Sequence, residues 1–266
     1  MRQTKLLDGT PIFCIQKPEA KMLDSHVEGY LQHGIEIKDG DTVLDIGANI
    51  GVFGLRAVLM GKNVQVHCFE PIPDIANVLR KNAETFGDNR WYVHECGISS
   101  SEDTATFTYF PNTPALSTLH PEQWEENPGA FTEAVKGTMK NPPTGMKWMK
   151  WIPTVFSGWI ASYLIKGSKK ITCHLQTLSS IIEQEKLTSI DLLKVDCEGA
   201  EMEVIKGIKE EHWPMIQSMV VEVHDLNGRM DEMKNILKAK GFTRLIAERE
   251  PGLELTPMYN LFAMRK

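Results

Sequence analysis

Two carboxylates and an imidazole fall at the ends of two apolar runs in the C-terminal half of the chain. Asp196 closes the run 190–195, and Glu222 and His224 end the run that begins at Met219. Alternate side chains share a face of a strand, so Glu222 and His224 point one way while Val221 and Val223 point the other. In open α/β sheets ligands sit beyond the carboxyl ends of the strands, which assigns these groups to one crevice. An imidazole beside carboxylates suits proton transfer. The same oxygen-rich set suits a divalent cation such as Mg²⁺. Structural roles compete with both: Asp196 as a helix N-cap over Gly199 and Ala200, and His224 as a hydrogen-bonded strand-end histidine.

A second set of spacings occupies residues 41–70, DTVLDIGANIGVFGLRAVLMGKNVQVHCFE. A short apolar run ends at Asp45. A turn carrying Gly47, Asn49 and Gly51 follows, then a helical pattern through Val52, Leu55, Val58 and Leu59. A second run, 64–69, closes on Glu70. This order of strand, glycine turn, helix, strand and acid is one βαβ unit suited to a nucleoside. The glycines permit a tight bend and close approach of backbone to ligand, and Glu70 stands where a carboxylate accepts hydrogen bonds from two ribose hydroxyls. The turn reads D-x-G-x-N-x-G, with Asn49 where a dinucleotide fingerprint carries glycine.

The elements that position these groups follow from periodicity. LLDGTPIFCI predicts a hairpin turning at Asp8-Gly9, and Asp24-Ser25 predicts the cap of a helix through Val27, Tyr30 and Leu31. Pro73-Asp74 opens a helix, 91–95 reads as a strand, and 104–110 alternates like an exposed edge. From Ile171 strands and helices alternate again, and 242–248 with 260–264 predict a closing antiparallel pair. The alternation argues for a doubly wound α/β sheet.

Composition narrows the class. At 42% hydrophobic and 24% charged residues over 266 positions, the chain suits one globular domain with an elaboration. A net charge of −6 argues against nucleic acid as a partner. Five scattered cysteines without a C-x-x-C pair suggest reduced thiols, and the N-terminus has no apolar segment long enough for a signal peptide. The expectation is a cytoplasmic protein.

Residues 111–170 break the pattern. Four of the six tryptophans (Trp124, Trp148, Trp151, Trp159) lie there, and between Ala134 and Ile182 there are seven lysines and no acid. The apolar portion from 148 to 165 is interrupted by Lys150 and Pro153 and falls short of the about 20 apolar residues a membrane span needs. The segment reads as extra packing, as a lid over an acceptor pocket, or as a docking surface for an anionic partner, either a lipid interface or an acidic carrier protein.

Two stretches, LDIGANIGVFGL and DLLKVDCEGAEMEVIKGI, resemble the FkbM-type family of S-adenosylmethionine-dependent methyltransferases, and the likeness covers roughly residues 41–110 and 171–224. The resemblance implies a class I, Rossmann-like, mostly parallel seven-stranded sheet with an inserted lid region. It divides the chain into an entry region 1–37, a core 38–110 plus 171–266, and the insert 111–170. It implies that Asp45, Gly47, Asn49 and Gly51 serve the methionine half of the cofactor and Glu70 the ribose, with Cys96 and Gly97 near the adenine and Glu28 on a helix over the site. It further implies methylation of a hydroxyl on a small-molecule or carrier-bound polyketide or sugar. Such a hydroxyl is a poor nucleophile until deprotonated, which makes His224 the expected base, oriented by Asp196 or Glu222. The spacing itself does not separate O- from N-transfer. Three alternatives stand beside this reading: a metal-assisted transferase, a nicotinamide-dependent oxidoreductase, and a non-catalytic module docking a membrane or acidic partner.

Overall fold

The computed structural model describes residues 1–121, 128–142, 144–225, 228–249 and 258–265; Trp124 lies outside them. Strands β1 (Arg2–Lys5) and β2 (Pro11–Cys14) form the expected hairpin around Asp8-Gly9. Helix α1 then runs Lys17–Tyr30. This corrects the expected cap at Asp24-Ser25: the helix starts about two turns earlier, at Lys17, with Pro18 in the first turn, where its fixed φ suits the helix. Asp24 is instead a buried anchor, accepting from Arg56 and from the Leu7 amide.

The main sheet holds seven strands in the order β11-β12-β10-β9-β3-β4-β5. These are β3 (Thr42–Ile46), β4 (Gln65–Phe69), β5 (Trp91–His94), β9 (Ile190–Val195), β10 (Ile216–His224), β11 (Arg244–Glu248) and β12 (Met258–Met264). Pairing is parallel from β10 through β5, while β12 lies antiparallel to both β10 and β11. Both faces are covered, so the central strands read as continuous apolar runs. Successive residues serve opposite cores. Val43, Leu192, Val220 and Phe262 pack with α1, α2 (Val52–Met60) and α3 (Pro73–Phe86). Leu44, Leu193, Val221 and Leu261 pack on the other side, with the helices that precede and follow β9 and β10.

A smaller sheet, in the order β6-β8-β7, holds β6 (Gly97–Ile98), β7 (Asp103–Tyr109) and β8 (Lys169–Gln176). β7 and β8 are antiparallel neighbours, with Tyr109 opposite Lys169. The intervening segment therefore leaves and re-enters the fold at one place. It carries α4 (Pro128–Lys140), short 3₁₀ turns and α5 (Ser157–Ile165), and it has its own small core of Phe131, Val135, Met139, Met149 and Ala161. Helices α6 (Leu178–Gln184), α7 (Glu201–Lys206) and α8 (Arg229–Ala239) complete the far face. The five cysteines are free thiols. Among the described residues no helix is long and apolar enough to cross a membrane.

Candidate functional site

The carboxyl ends of β3, β4, β9 and β10 border a cavity of about 1280 Å³. That exceeds the roughly 300–1,000 Å³ of ordinary small-molecule pockets, so two ligands fit side by side. Its wall takes Gly47 and Asn49 from the turn after β3, Glu70 from the end of β4, and Asp196 and Glu198 from the end of β9. Glu222 and His224 come from β10, and Gly97 from β6. The sequence-predicted groups on either side of the sheet's midpoint therefore meet at one rim.

On the β3–β4 side the turn and the acid form one unit. Glu70 accepts from the Ile72 amide (2.9 Å) and from the Asn49 amide (3.1 Å), one on each oxygen. Asn49 holds a left-handed conformation (φ 50°), which asparagine tolerates, and its Oδ1 accepts from the Ile50 amide. Burial pushes the Glu70 carboxyl up to about 7, against the two amides that favour its charged form. Each oxygen retains acceptor capacity toward a ligand. A buried carboxyl of this kind, in a wall with Ile72, Ile98 and Ser99, fits the diol and base of a nucleoside.

The glycines work differently from the expectation. Gly47 (φ 76°) and Gly51 (φ 84°) both make close approaches to the chain itself, and Gly47 alone of the two also lines the cavity. A Cβ on Gly51 would fall 2.4 Å from Leu79 and 2.5 Å from Trp91, and Gly51 does not line the cavity. The Gly47 and Ala48 amides already donate to the Phe69 carbonyl.

Asp45 is also displaced from its expected place at the ligand. It is fully buried under the turn, 3.1 Å from Lys194 Nζ. The sheet register sets Asp45 directly opposite Lys194 on β9. Lys194 Nζ also reaches Asp196 (3.3 Å) and the Gly47 carbonyl (3.3 Å), and it lies over the Tyr30 ring. Burial lowers the Lys194 ammonium's affinity for its proton, but Asp45 and then Asp196 outweigh this and raise it. Asp196 in turn accepts from the Tyr30 hydroxyl at 3.1 Å. It does not cap a helix; the Gly199 amide is held by Glu201 Oε1 instead (2.7 Å).

His224 is buried between two acids, with Nδ1 3.3 Å from Glu201 and Nε2 3.8 Å from Glu198. Burial pulls its pKa down, yet Glu201, then Glu198 and Asp196, carry it up to about 9. Burial pushes Glu198 up as well. Glu198 adopts φ 52°, a conformation non-glycine residues rarely hold, and its carbonyl accepts from Thr118 Oγ1 of the insert. His26 on α1 also faces the cavity, and burial lowers its pKa, so it is neutral at neutral pH.

Two further expected contacts are relocated. Glu28 is exposed on the outer side of α1, off the cavity wall, to which that helix contributes among others Glu19, Met22, His26 and Tyr30. Cys96 is buried behind Gly97, and burial pushes its thiol up to about 11. The Asp196, Glu222 and His224 trio does not converge to metal-ligating distance. The cluster among the described residues that does is Glu183, Glu211 and His212, none of which lines the cavity. Lys194 supplies the positive charge that Asp196 faces.

Sequence reasoning passed over Lys194, Tyr30, His26 and Glu201. A lone lysine inside the apolar run Leu192–Val195 was the available signal for the first, since a buried ammonium needs carboxylate partners.

The description "Methyltransferase FkbM domain" matches residues 45–244. The chain is 30% identical to 31-O-demethyl-FK506 methyltransferase FkbM of Streptomyces tacrolimicus, over 98% of this chain and 96% of that one. It is 33% identical to methyltransferase sdnD of Sordaria araneosa, over 92% and 91% of the two chains. The fold matches the crystal structure of methyltransferase FkbM from Methylobacillus flagellatus KT with a TM-score of 0.52 at 16% identity, covering 90% of this chain and 47% of that longer one. With its strand order and the turn–acid unit of Asn49 and Glu70, this chain belongs to the FkbM-domain family of methyltransferases.

Proposed function

We propose that the protein is an S-adenosylmethionine-dependent O-methyltransferase acting on a hydroxyl of a small natural product, free or carrier-bound. The observation that supports this most is a single cavity joining Glu70 on one side to Asp196, Glu222 and His224 on the other. When bound, the donor supplies a methyl group already activated on a sulfonium. The acids at the rim match its positive charge, Glu70 suits its ribose hydroxyls, and Ile72, Ile98 and Gly97 suit its base. The S. tacrolimicus relative's name specifies a 31-O position on FK506, which favours oxygen as the acceptor atom.

The chain's own task is to position the acceptor and take its proton. His224 is the first choice for the base. Held between Glu201 and Glu198, it retains its own proton at neutral pH, so it acts as a base only in its minor neutral form or at alkaline pH. His26 is a second choice, favoured by its place on the wall and its neutral imidazole. Tyr30 and Lys194 fix the Asp196 carboxylate between them. Residues 111–170 act as the lid: Glu19 of α1 accepts the Ala115 amide at 2.6 Å, and Met146, Met149 and Ile160 wall the acceptor end.

The test is calorimetric titration with S-adenosylhomocysteine, followed by methyl uptake on a panel of hydroxylated acceptors with His224→Ala and His26→Ala in parallel. Loss of the true base costs turnover about 100-fold or more while cofactor affinity survives. Absence of cofactor binding would refute the reading.

A further inference from the structure

The insert exposes an unusual amount of large apolar surface. Trp151 is 88% exposed, Val155 81% and Trp159 71%, with Trp148, Phe156 and Tyr163 about half exposed. They come from consecutive turns of one segment, and the Trp159 and Tyr163 rings stack. Four of the six, Trp148, Phe156, Trp159 and Tyr163, also line the cavity, so the patch is continuous with its wall. Lys147 and Lys150 alternate with the tryptophans in the sequence, Lys166 and Lys169 follow them, and all four are exposed. The whole stretch from 134 to 182 carries no acid, in a chain of net charge −6. Isolated exposed apolar residues need no explanation, but a cluster of them on a lysine-rich segment marks a binding surface.

We propose that this rim docks on an anionic phospholipid membrane, and that the acceptor is a lipophilic alcohol entering the cavity from the bilayer side. Tryptophan and tyrosine favour the membrane–water interface, where an apolar ring and a polar edge are both satisfied. Lysines beside them meet the negative surface potential of anionic lipid. A fluid interface covers protruding side chains one at a time, without the matched contours a protein partner must supply. Among the described residues no helix is long and apolar enough to cross a bilayer, and the proposed contact is a peripheral one. The inner wall continues the same chemistry: Leu116, Phe131, Met146, Met149 and Ile152 make the acceptor end apolar. The acceptor class rests on the methyltransferase reading; the docking does not.

The test uses the full chain and sucrose-loaded vesicles of phosphatidylcholine, with and without phosphatidylserine. The protein should sediment with the anionic vesicles, less so as salt rises, and weakly with the neutral ones. Two double variants, Trp151→Glu with Val155→Glu and Lys147→Glu with Lys150→Glu, alter side chains away from the cavity wall. At roughly 1 kcal/mol per lysine, the second should weaken partitioning by about 25-fold or more. The first should abolish the blue shift of tryptophan emission on adding vesicles. Unchanged melting curves would show both variants folded. Failure of the parent chain to bind anionic vesicles, or parent-like binding by both variants, overturns the proposal. So does capture by a purified acidic carrier domain without vesicle binding. S-adenosylhomocysteine titration of the same samples reports separately on the methyltransferase reading.

Discussion

The Cα of Gly47 abuts the backbone of Asp196 so closely that a Cβ there would lie 1.6 Å from the Asp196 carbonyl oxygen. The turn after β3 and the end of β9 are thus seated on one another, and the Glu70 side and the His224 side of the cavity share that seat. Gly47→Ala must move backbone against backbone and also hold φ 76° with a side chain. The left-handed conformation alone costs about 1–2 kcal/mol, and the clash adds to it. Thermal unfolding should show a loss of at least about 2 kcal/mol, and both cofactor binding and turnover should fall together.

Lys194 stands between Asp45 and Asp196 with almost no exposure. Lys194→Met leaves Asp45 buried without its partner. Removing one member of a buried pair costs about 3–5 kcal/mol. Denaturant unfolding measures this, and the double variant Lys194→Met with Asp45→Leu should recover part of the loss, because the fully buried Asp45 charge is then gone and the remaining Asp196 keeps the Tyr30 hydroxyl.

Glu70 is raised to about 7 in the ligand-free site. Hydroxyl donors favour its ionised form, so affinity for S-adenosylhomocysteine should rise as pH rises through about 7, with proton release visible as a buffer-dependent enthalpy. Glu70→Gln should weaken binding about 10- to 100-fold, the worth of hydrogen bonds to a charged group, and flatten the pH dependence.

Burial raises Glu19 and Glu70 to about 7 and Glu198 to about 8, while its acid neighbours raise His224 to about 9 against burial. A group whose folded pKa is raised stabilises below its unfolded value and loses that contribution as pH rises through the folded one. These groups therefore favour the ligand-free fold below about 4.5 for the carboxyls and 6.5 for the imidazole. Stability should decline between there and about pH 9. Glu19→Gln should remove the part falling between 4.5 and about 7, on the order of 3 kcal/mol for a shift of that size. Melting temperature against pH for both proteins checks this.

Asp196, Glu222 and His224 do not converge as ligands, and Lys194 already faces Asp196. Chelation with EDTA should leave methyl transfer unchanged, and added Mg²⁺ should not raise it. An activity assay before and after dialysis against chelator decides it.

The sequence by itself determined the sheet and the place of Glu70. Apolar runs of strand length separated by helical periodicity admit little besides a doubly wound sheet, and an acid closing the strand after a glycine turn has one rim to occupy. His224 and Glu222 were placed on one face by the two-residue period alone. Two local signals misled. Asp24-Ser25 look like a helix cap, which hid the earlier start at Lys17 and with it the inward faces of His26 and Tyr30. Gly51 looks made for a ligand but meets Leu79 and Trp91, while Gly47 both lines the cavity and abuts Asp196. Only the tertiary structure decided which charges face each other. Lys194 finds Asp45 through the register of β9 on β3, and His224 finds Glu201 and Glu198 through the turn after β9. Charge state depends on burial and on neighbours distant in the chain, and neither is a property of local spacing.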